Sequence, residues 1–151
     1  MKKICKAATP WLYETIIFFE GLRLGAYRCP AGKWTIGYGH TGDDVDEGMS
    51  ITRAEATAML SGDVAEVVAE VNGILVWDVT DGQFDALVDF AFNLGAQALK
   101  GSTLLRKLGS GDQEGAAAEF LKWDKARVNG RMVALPGLTK RRERERLRFL
   151  A

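Results

Sequence analysis

The run Thr35-Ile36-Gly37-Tyr38-Gly39-His40, preceded by Cys29 and further back by Phe19-Glu20-Gly21, decides how this chain is read. Eight residues separate Glu20 from Cys29 and five separate Cys29 from Thr35. An acid, a second ionisable group and a hydroxyl therefore crowd into one short segment beside closely spaced glycines. Cleavage of a glycosidic bond needs such a set: a proton donor on one side, and on the other a group that handles water or charge. A carboxylate is the usual second group, and here a cysteine stands in that place.

Local signals place these residues on elements. Thr9 can cap a helix, Pro10 suits its first position and Gly21 supplies a stop. Leu12, Ile16 and Phe19 fall on one apolar stripe. Glu20 then sits in the last turn, where the helix's partial negative charge disfavours a carboxylate. With Phe18 and Phe19 beside it, both effects would raise its pKa, as a general acid requires; the alternative is an ordinary solvated glutamate at a helix end. From Leu24 to His40 the chain reads as short strands, with Pro30-Ala31-Gly32 breaking Tyr27-Arg28-Cys29 from Trp34-Thr35-Ile36 as a hairpin. Gly37 and Gly39 weaken a strand interior and mark close backbone approach. This puts Cys29 and Thr35 on facing parts of one small sheet.

Beyond Ser50 the pattern turns helical. Thr52 with Glu55 forms a capping box that opens a long helix to about Val71. Thr80 with Gln83 forms another, followed by the stripe Phe84, Leu87, Val88, Ala91 and Phe92, with Gly95 as the stop. Shorter helices are expected over Thr103–Leu108, Gln113–Lys125 and Leu138–Leu150. The fold class is α+β: a small β-hairpin lobe to about residue 49 and a larger helical lobe, joined by the long helix. A cleft between two such lobes suits an elongated ligand.

The 151 residues are about one domain's worth, and residues 1–151 are read as a single domain. Lys plus Arg equal Asp plus Glu at twenty each, so net charge selects neither nucleic acid nor membrane. An acidic patch (Asp43, Asp44, Asp46, Glu47) is a solvated loop in its plainest reading, and its glycine is misplaced for a calcium loop. The basic C-terminal run is interleaved with Glu143 and Glu145, which predicts helical ion pairs of the surface kind. Cys5 and Cys29 are too few for a disulfide framework. They form either two free thiols or one bridge, and that bridge would occlude position 29 until reduced. One histidine and two cysteines cannot build a usual zinc site. The best apolar run near the N-terminus, Ile16 to Phe19, is ended by Glu20, so neither a signal peptide nor a membrane span is expected.

Taken together, these residues resemble the phage-type lysozymes of glycoside hydrolase family twenty-four, endolysins that cut peptidoglycan between N-acetylmuramic acid and N-acetylglucosamine. The resemblance covers nearly the whole chain. It rests on Phe19-Glu20-Gly21 with the Cys29 and Thr35 spacing and the run to His40; on Gln83 to Gly95; on the turn Gly101-Ser102-Thr103-Leu104-Leu105; and on Gly137 to Arg142 with Glu145. It implies a two-lobed lysozyme fold with Glu20 as general acid. Cys29 occupies a position that is aspartate in many members, and Thr35 would help to position the attacking water. A thiol near its reference pKa of about 8.5 is mostly protonated at neutral pH, so Cys29 is a poorer base than a carboxylate unless the site lowers that value. Inversion at the anomeric carbon follows from this reading.

His40, Phe92 and Asn93 match positions near the family's sugar-binding cleft. His40 can equally be a structural histidine donating to a carboxylate, Phe92 a core residue and Asn93 a helix-end partner. The resemblance further implies a monomer without metal or cofactor, whose partner is the glycan strand of peptidoglycan, with no nucleic acid and no stable membrane insertion. Such a protein would be made in the host cytoplasm and reach the cell wall through a holin-type factor. Two other readings stay open: a catalytically silent peptidoglycan-binding module, and a lytic transglycosylase whose products lack the added water.

Overall fold

Pro10 opens the first helix, α1 (Pro10–Glu20), and Gly21 ends it in the left-handed region at φ 68°, its N–H closing on the Ile17 carbonyl at 3.0 Å. Thr9 does not act as the expected side-chain cap. Its hydroxyl and N–H both go to the Asp85 carboxylate instead. The computed structural model describes residues 4–151, which divide into two compact units: Tyr13–Glu66, and the chain through Leu12 together with Val67–Ala151.

In the first of these units, β1 (Arg23–Arg28), β2 (Trp34–Gly37) and β3 (His40–Thr41) form an antiparallel sheet in that order. Tyr27 pairs with Thr35, and Thr35 with Thr41. Pro30-Ala31-Gly32 makes the expected turn: Cys29 N–H donates to the Lys33 carbonyl, Gly32 N–H donates to the Cys29 carbonyl at 2.8 Å, and Gly32 takes φ 80°. A three-residue hairpin loop closing on a left-handed glycine is a common solution for this length. The chain then returns along the other edge of β1 through Ala26 N–H to Met49 and Ile51 N–H to Leu24, both 2.9 Å. Ile36, Tyr38, Val45, Ile51, Ala56, Leu60 and Val64 form the apolar interior. Thr52 and Glu55 cap α2 (Arg53–Ile74) reciprocally, as their spacing predicts.

The second unit is built around α3 (Asp81–Leu94), whose residues Gly82 to Ala91 are all buried. Thr80 and Gln83 form its capping box, and Gly95 closes it. After it come α4 (Ala96–Lys100), α5 (Thr103–Gly109), α6 (Gln113–Phe120) and the closing helix α7 (Pro136–Leu150). Phe90 of α3 meets Phe120 and Trp123 edge to face at 5.7 and 5.2 Å. Residues before α1, assigned by sequence to the small lobe, belong to this unit. Ile4 N–H reaches Asp78, the Lys6 backbone exchanges two bonds with the Asn72 amide, and Lys6 Nζ pairs with Asp81 at 2.8 Å.

Three expectations change here. The helix expected to run to Lys125 stops at Phe120. Beyond it, β4 (Lys125–Val128) and β5 (Arg131–Ala134) form a second hairpin that the helical reading missed. Asn129 and Gly130 at its tip both have positive φ, the turn that an Asn-Gly pair favours between strands. The short α4 was not expected either.

The third change concerns the closing helix, whose ion pairs are not of the surface kind. Arg141, Arg142 and Glu145 are buried with Asp89 of α3. Arg141 makes a two-pronged bond to Asp89 at 2.9 and 3.0 Å, and Arg142 Nη2 reaches Glu145 at 2.7 Å. Burial, together with the neighbouring Asp89 carboxylate, holds the Glu145 carboxyl well above the usual carboxylate range. For Asp89 burial works the other way, but Arg141 and the Glu145 proton outweigh it and keep the carboxylate ionised.

Candidate active site

Glu20, Cys29, Thr35 and His40 all lie within Tyr13–Glu66. Glu20 ends α1, and its carboxylate lies against the backbone of Gly39. A Cβ at position 39 would come within 2.7 Å of Oε2 and 3.1 Å of Cδ, and Gly39 itself holds φ 75°. Only glycine meets both demands without strain or collision. The Gly37-Tyr38-Gly39 turn between β2 and β3 is thus the surface on which the acid rests. Phe18, expected to shield Glu20, is largely solvent-exposed, while its ring meets Phe19 edge to face at 5.0 Å.

Cys29 follows the last residue of β1, and its thiol sits in the hairpin loop facing several donors. The Lys33 N–H does most to hold it below the ordinary cysteine value; partial burial opposes this, and the Ala31 N–H and Thr35 hydroxyl add to it. Donors near a sulfur favour thiolate as they would any small anion. Thr35 is buried on β2 and its hydroxyl donates to the Lys33 carbonyl at 3.1 Å. Both cysteines are free: the bridge considered from sequence is not formed, and Cys5 is exposed.

His40 has both ring nitrogens engaged. Nδ1 lies 2.8 Å from Asp63 of α2, and Nε2 lies 3.0 Å from Asp44. Partial burial disfavours its charge, but the two carboxylates outweigh that and raise its pKa. Asp44 is correspondingly held below its usual range by His40. Only imidazolium donates from both nitrogens at once, so this geometry favours a clasp from β3 to α2 over direct contact with a sugar. Asp63 was not singled out from sequence, and Asp44 was named only in the acidic patch read as a solvated loop, whereas it is paired with His40. An i, i+4 spacing from His40 to Asp44 was the available signal for one of them; the other lies 23 residues away on another element. Gly42 makes room for the clasp, since a Cβ there would come within 2.6 Å of Asp44 Oδ1.

Phe92 and Asn93 belong to the other unit, in the last turn of α3, both half-buried. Asn93 Oδ1 is buried without a hydrogen-bond partner among the described residues. Among the described residues no group of three or more His, Cys, Asp and Glu side chains could hold a metal ion, and no helix is long and apolar enough to cross a membrane.

What this arrangement can do is set by an acid at a glycine turn and a thiolate-favouring loop on the same small sheet unit. Known proteins give the same frame a name. The phage lysozyme family model matches residues 18–145. An endolysin of Acyrthosiphon pisum secondary endosymbiont phage 1 is 50% identical over 131 residues, covering 87% of this chain and 89% of that protein. The endolysin of Bacillus phage B103 is 51% identical over 134 residues, which is 87% of this chain but only 49% of that longer protein. Among solved structures, the muramidase domain of SpmX from Asticaccaulis excentricus superposes with a TM-score of 0.88 at 39% identity, covering 96% of this chain and 98% of that one. A match of this extent in both sequence and structure makes the chain a member of the phage lysozyme family, a glycoside hydrolase of the bacterial cell wall.

Proposed function

We propose that the chain, residues 1–151 acting as one domain, is a muramidase that hydrolyses the β-1,4 bond between N-acetylmuramic acid and N-acetylglucosamine and so lyses the host cell. The observation that carries this reading is the pairing, in one small unit, of the Glu20 carboxyl set against Gly39 with a Cys29 thiol set among loop N–H groups. Glu20, in its protonated form, gives its proton to the glycosidic oxygen as the bond to the anomeric carbon breaks. Positive charge then develops on the sugar ring. Thiolate at Cys29 stabilises that charge and takes a proton from a water ordered by Thr35, whose oxygen attacks the anomeric carbon. Cys29 leaves the step as a thiol and Glu20 as a carboxylate, so exchange of one proton with solvent resets the site.

Lowering the thiol pKa toward the working pH is what makes cysteine usable here, since a base acts best when its pKa lies near that pH. The product leaves with inverted configuration, and retained configuration in fresh product would exclude this route. The deciding experiment measures reducing ends and muropeptide masses released from purified sacculi by the intact protein and by Glu20→Gln. Hydrated muropeptides that vanish in the variant are the expected result. Products lacking the added water would indicate a transglycosylase, and no product with or without reductant would leave a binding module.

A further inference from the structure

In the hairpin β4–β5 every residue from 127 to 134 is exposed. Three of these are apolar and large: Val128, Met132 and Val133 leave 42%, 57% and 42% of their surface to solvent. Lys125, Arg127 and Arg131 supply charge, and the two strands hold no acid. Lys125 is answered by Asp124, just before β4, at 3.0 Å. Arg127 donates to the Gly130 carbonyl of its own turn at 3.1 Å, which fixes a guanidinium at the tip without neutralising it. Arg131 has no hydrogen-bond or ion-pair partner among the described residues.

Register decides which of these side chains share a face. Directly opposed residues of an antiparallel pair project to the same side. Arg127 therefore sits with Met132 on one face, and Arg131 with Val128 on the other. A hairpin that lies on its own protein divides into an apolar face turned inward and a polar face turned to water. Here neither face is of one kind. The tip carries the same mixture, a cation beside an apolar side chain, on both sides.

We propose that the tip of the β4–β5 hairpin docks on an anionic lipid surface, with Val128, Met132 and Val133 entering the headgroup boundary and Arg127 and Arg131 bonding the lipid phosphates. The mixture selects the partner. Nucleic acid would use the cations but not the exposed valines and methionine, and the strands offer no aromatic ring on which a base could stack. A neutral glycan has no charge for the guanidiniums to meet. A second copy of the hairpin, added strand to strand, would bring like charges together. A bilayer with acidic headgroups takes both parts at once, because apolar side chains settle at its boundary while cations stay among the phosphates. Guanidinium meets phosphate with two parallel bonds. The contact is peripheral and reversible, since three apolar side chains are far short of a span. The inference stands on the hairpin alone and goes beyond the muramidase reading.

The test is co-sedimentation of the full chain with vesicles of phosphatidylcholine alone and of phosphatidylcholine mixed with phosphatidylglycerol. Binding to the mixed vesicles only, weakening as salt is added, is the expected result. Arg127→Gln with Arg131→Gln should weaken it about thirtyfold, the scale of two cations at an anionic surface. Met132→Ser should weaken it severalfold and leave its salt dependence unchanged. Lys100→Gln with Arg106→Gln removes two exposed cations from α4 and α5 and should leave most of the binding in place. The substituted side chains are all at the surface, so the fold is retained, which melting curves check.

Equal binding to both vesicles, binding to neither, or a loss as large from the Lys100 and Arg106 pair overturns the proposal. Tight binding of duplex DNA that responds to the arginines but not to Met132→Ser would give the tip to nucleic acid instead. Vesicle binding untouched by the hairpin variants, with muropeptide release from lipid-free sacculi falling in its place, would make the tip a contact for the wall. The two readings fail separately: an intact protein that releases no muropeptides loses the muramidase function, while its binding to vesicles still decides the role of the hairpin.

Discussion

The molecule holds its charged residues on two sets of terms. Around Glu20, Cys29 and His40, ionisable groups lie at half-exposed positions, where glycines allow close approach and each proton can exchange with water. Around Asp89, Arg141, Arg142 and Glu145 the same kinds of group are sealed from solvent in the helical unit. Burial of a charge costs several kcal/mol and is offset only by good geometry, so the second set specifies packing and has no freedom to react. The first keeps the freedom to gain and lose protons at a modest cost in stability. One region therefore leaves its ionisable side chains in exchange with water, and the other uses them to hold α3 to α7.

Activity gives the sharpest separation. Glu20→Gln should lower muropeptide release about 10²–10⁴-fold, the contribution of a positioned general acid, while the melting temperature moves little. In the sealed cluster the opposite is expected. Arg142→Met removes the hydrogen-bond donor to Glu145 and the cation over the Phe90 ring, and should cost about 1–3 kcal/mol in denaturant unfolding, as for a buried polar group left unsatisfied. Adding Glu145→Leu should recover part of that loss, because the acid left without its partner is then gone as well. A double variant no more stable than Arg142→Met alone would show that the two regions differ less than their exposure implies.

A glycine pair tests the same contrast within one unit. Gly39 and Gly21 both have positive φ, but only Gly39 has the Glu20 carboxylate against it; nothing lies within 4 Å of a Cβ at Gly21. Alanine at either position should destabilise by about 1–2 kcal/mol through backbone strain. Only Gly39→Ala should also lower activity, by at least tenfold, through displacement of the acid. Equal activity losses in the two variants would remove the steric role assigned to Gly39.

How far the sequence carried follows the same division. The helix end at Gly21, the Pro-Ala-Gly turn and the glycine-spaced run to His40 were legible because each is set by local signals, without any long-range contact. The capping boxes at Thr52 and Thr80 were legible for the same reason. The buried cluster was not. Glu145 and Arg142 at i, i+3 look like any surface helix pair, and their burial depends on Asp89, which lies more than fifty residues earlier. Asp63 as the partner of His40 was hidden in the same way. Thr9 was misread because its hydroxyl and N–H turn to the Asp85 carboxylate, and its oxygen accepts from Arg148 and not from a helix N–H. The β4–β5 hairpin was a different kind of miss: Asn129-Gly130 is a strong local turn signal, and it lies in a stretch to which no element was assigned.

The thiol offers a finer measure of the exposed set. Thiolate absorbance or alkylation of Cys29, followed against pH in a Cys5→Ser background, should show a midpoint below the ordinary thiol value, because the Lys33 and Ala31 N–H groups and the Thr35 hydroxyl favour the anion. Thr35→Val removes one of those donors and should move the midpoint up, with the activity limb governed by Cys29 moving the same way. A midpoint that stays put would mean that the loop N–H groups alone set the thiol, leaving Thr35 only the water.

The smallest effect expected is at the His40 clasp, and its sign is fixed on both sides. His40 has a raised pKa in the folded chain, so its stabilising contribution is complete below the unfolded value near 6.5 and fades as pH rises through the folded one. Asp44 has a lowered pKa, so its contribution is present above about 3.8 and fades as pH falls through its folded value. The stability gap between the intact chain and His40→Gln should therefore be widest between roughly pH 4 and 6.5. It should reach about 1 kcal/mol, the scale of a partly exposed ion pair, and narrow in both directions. A His40→Gln deficit that stayed flat with pH would place the clasp among the sealed interactions, and the division between the two regions would then follow position in the fold instead of access to water.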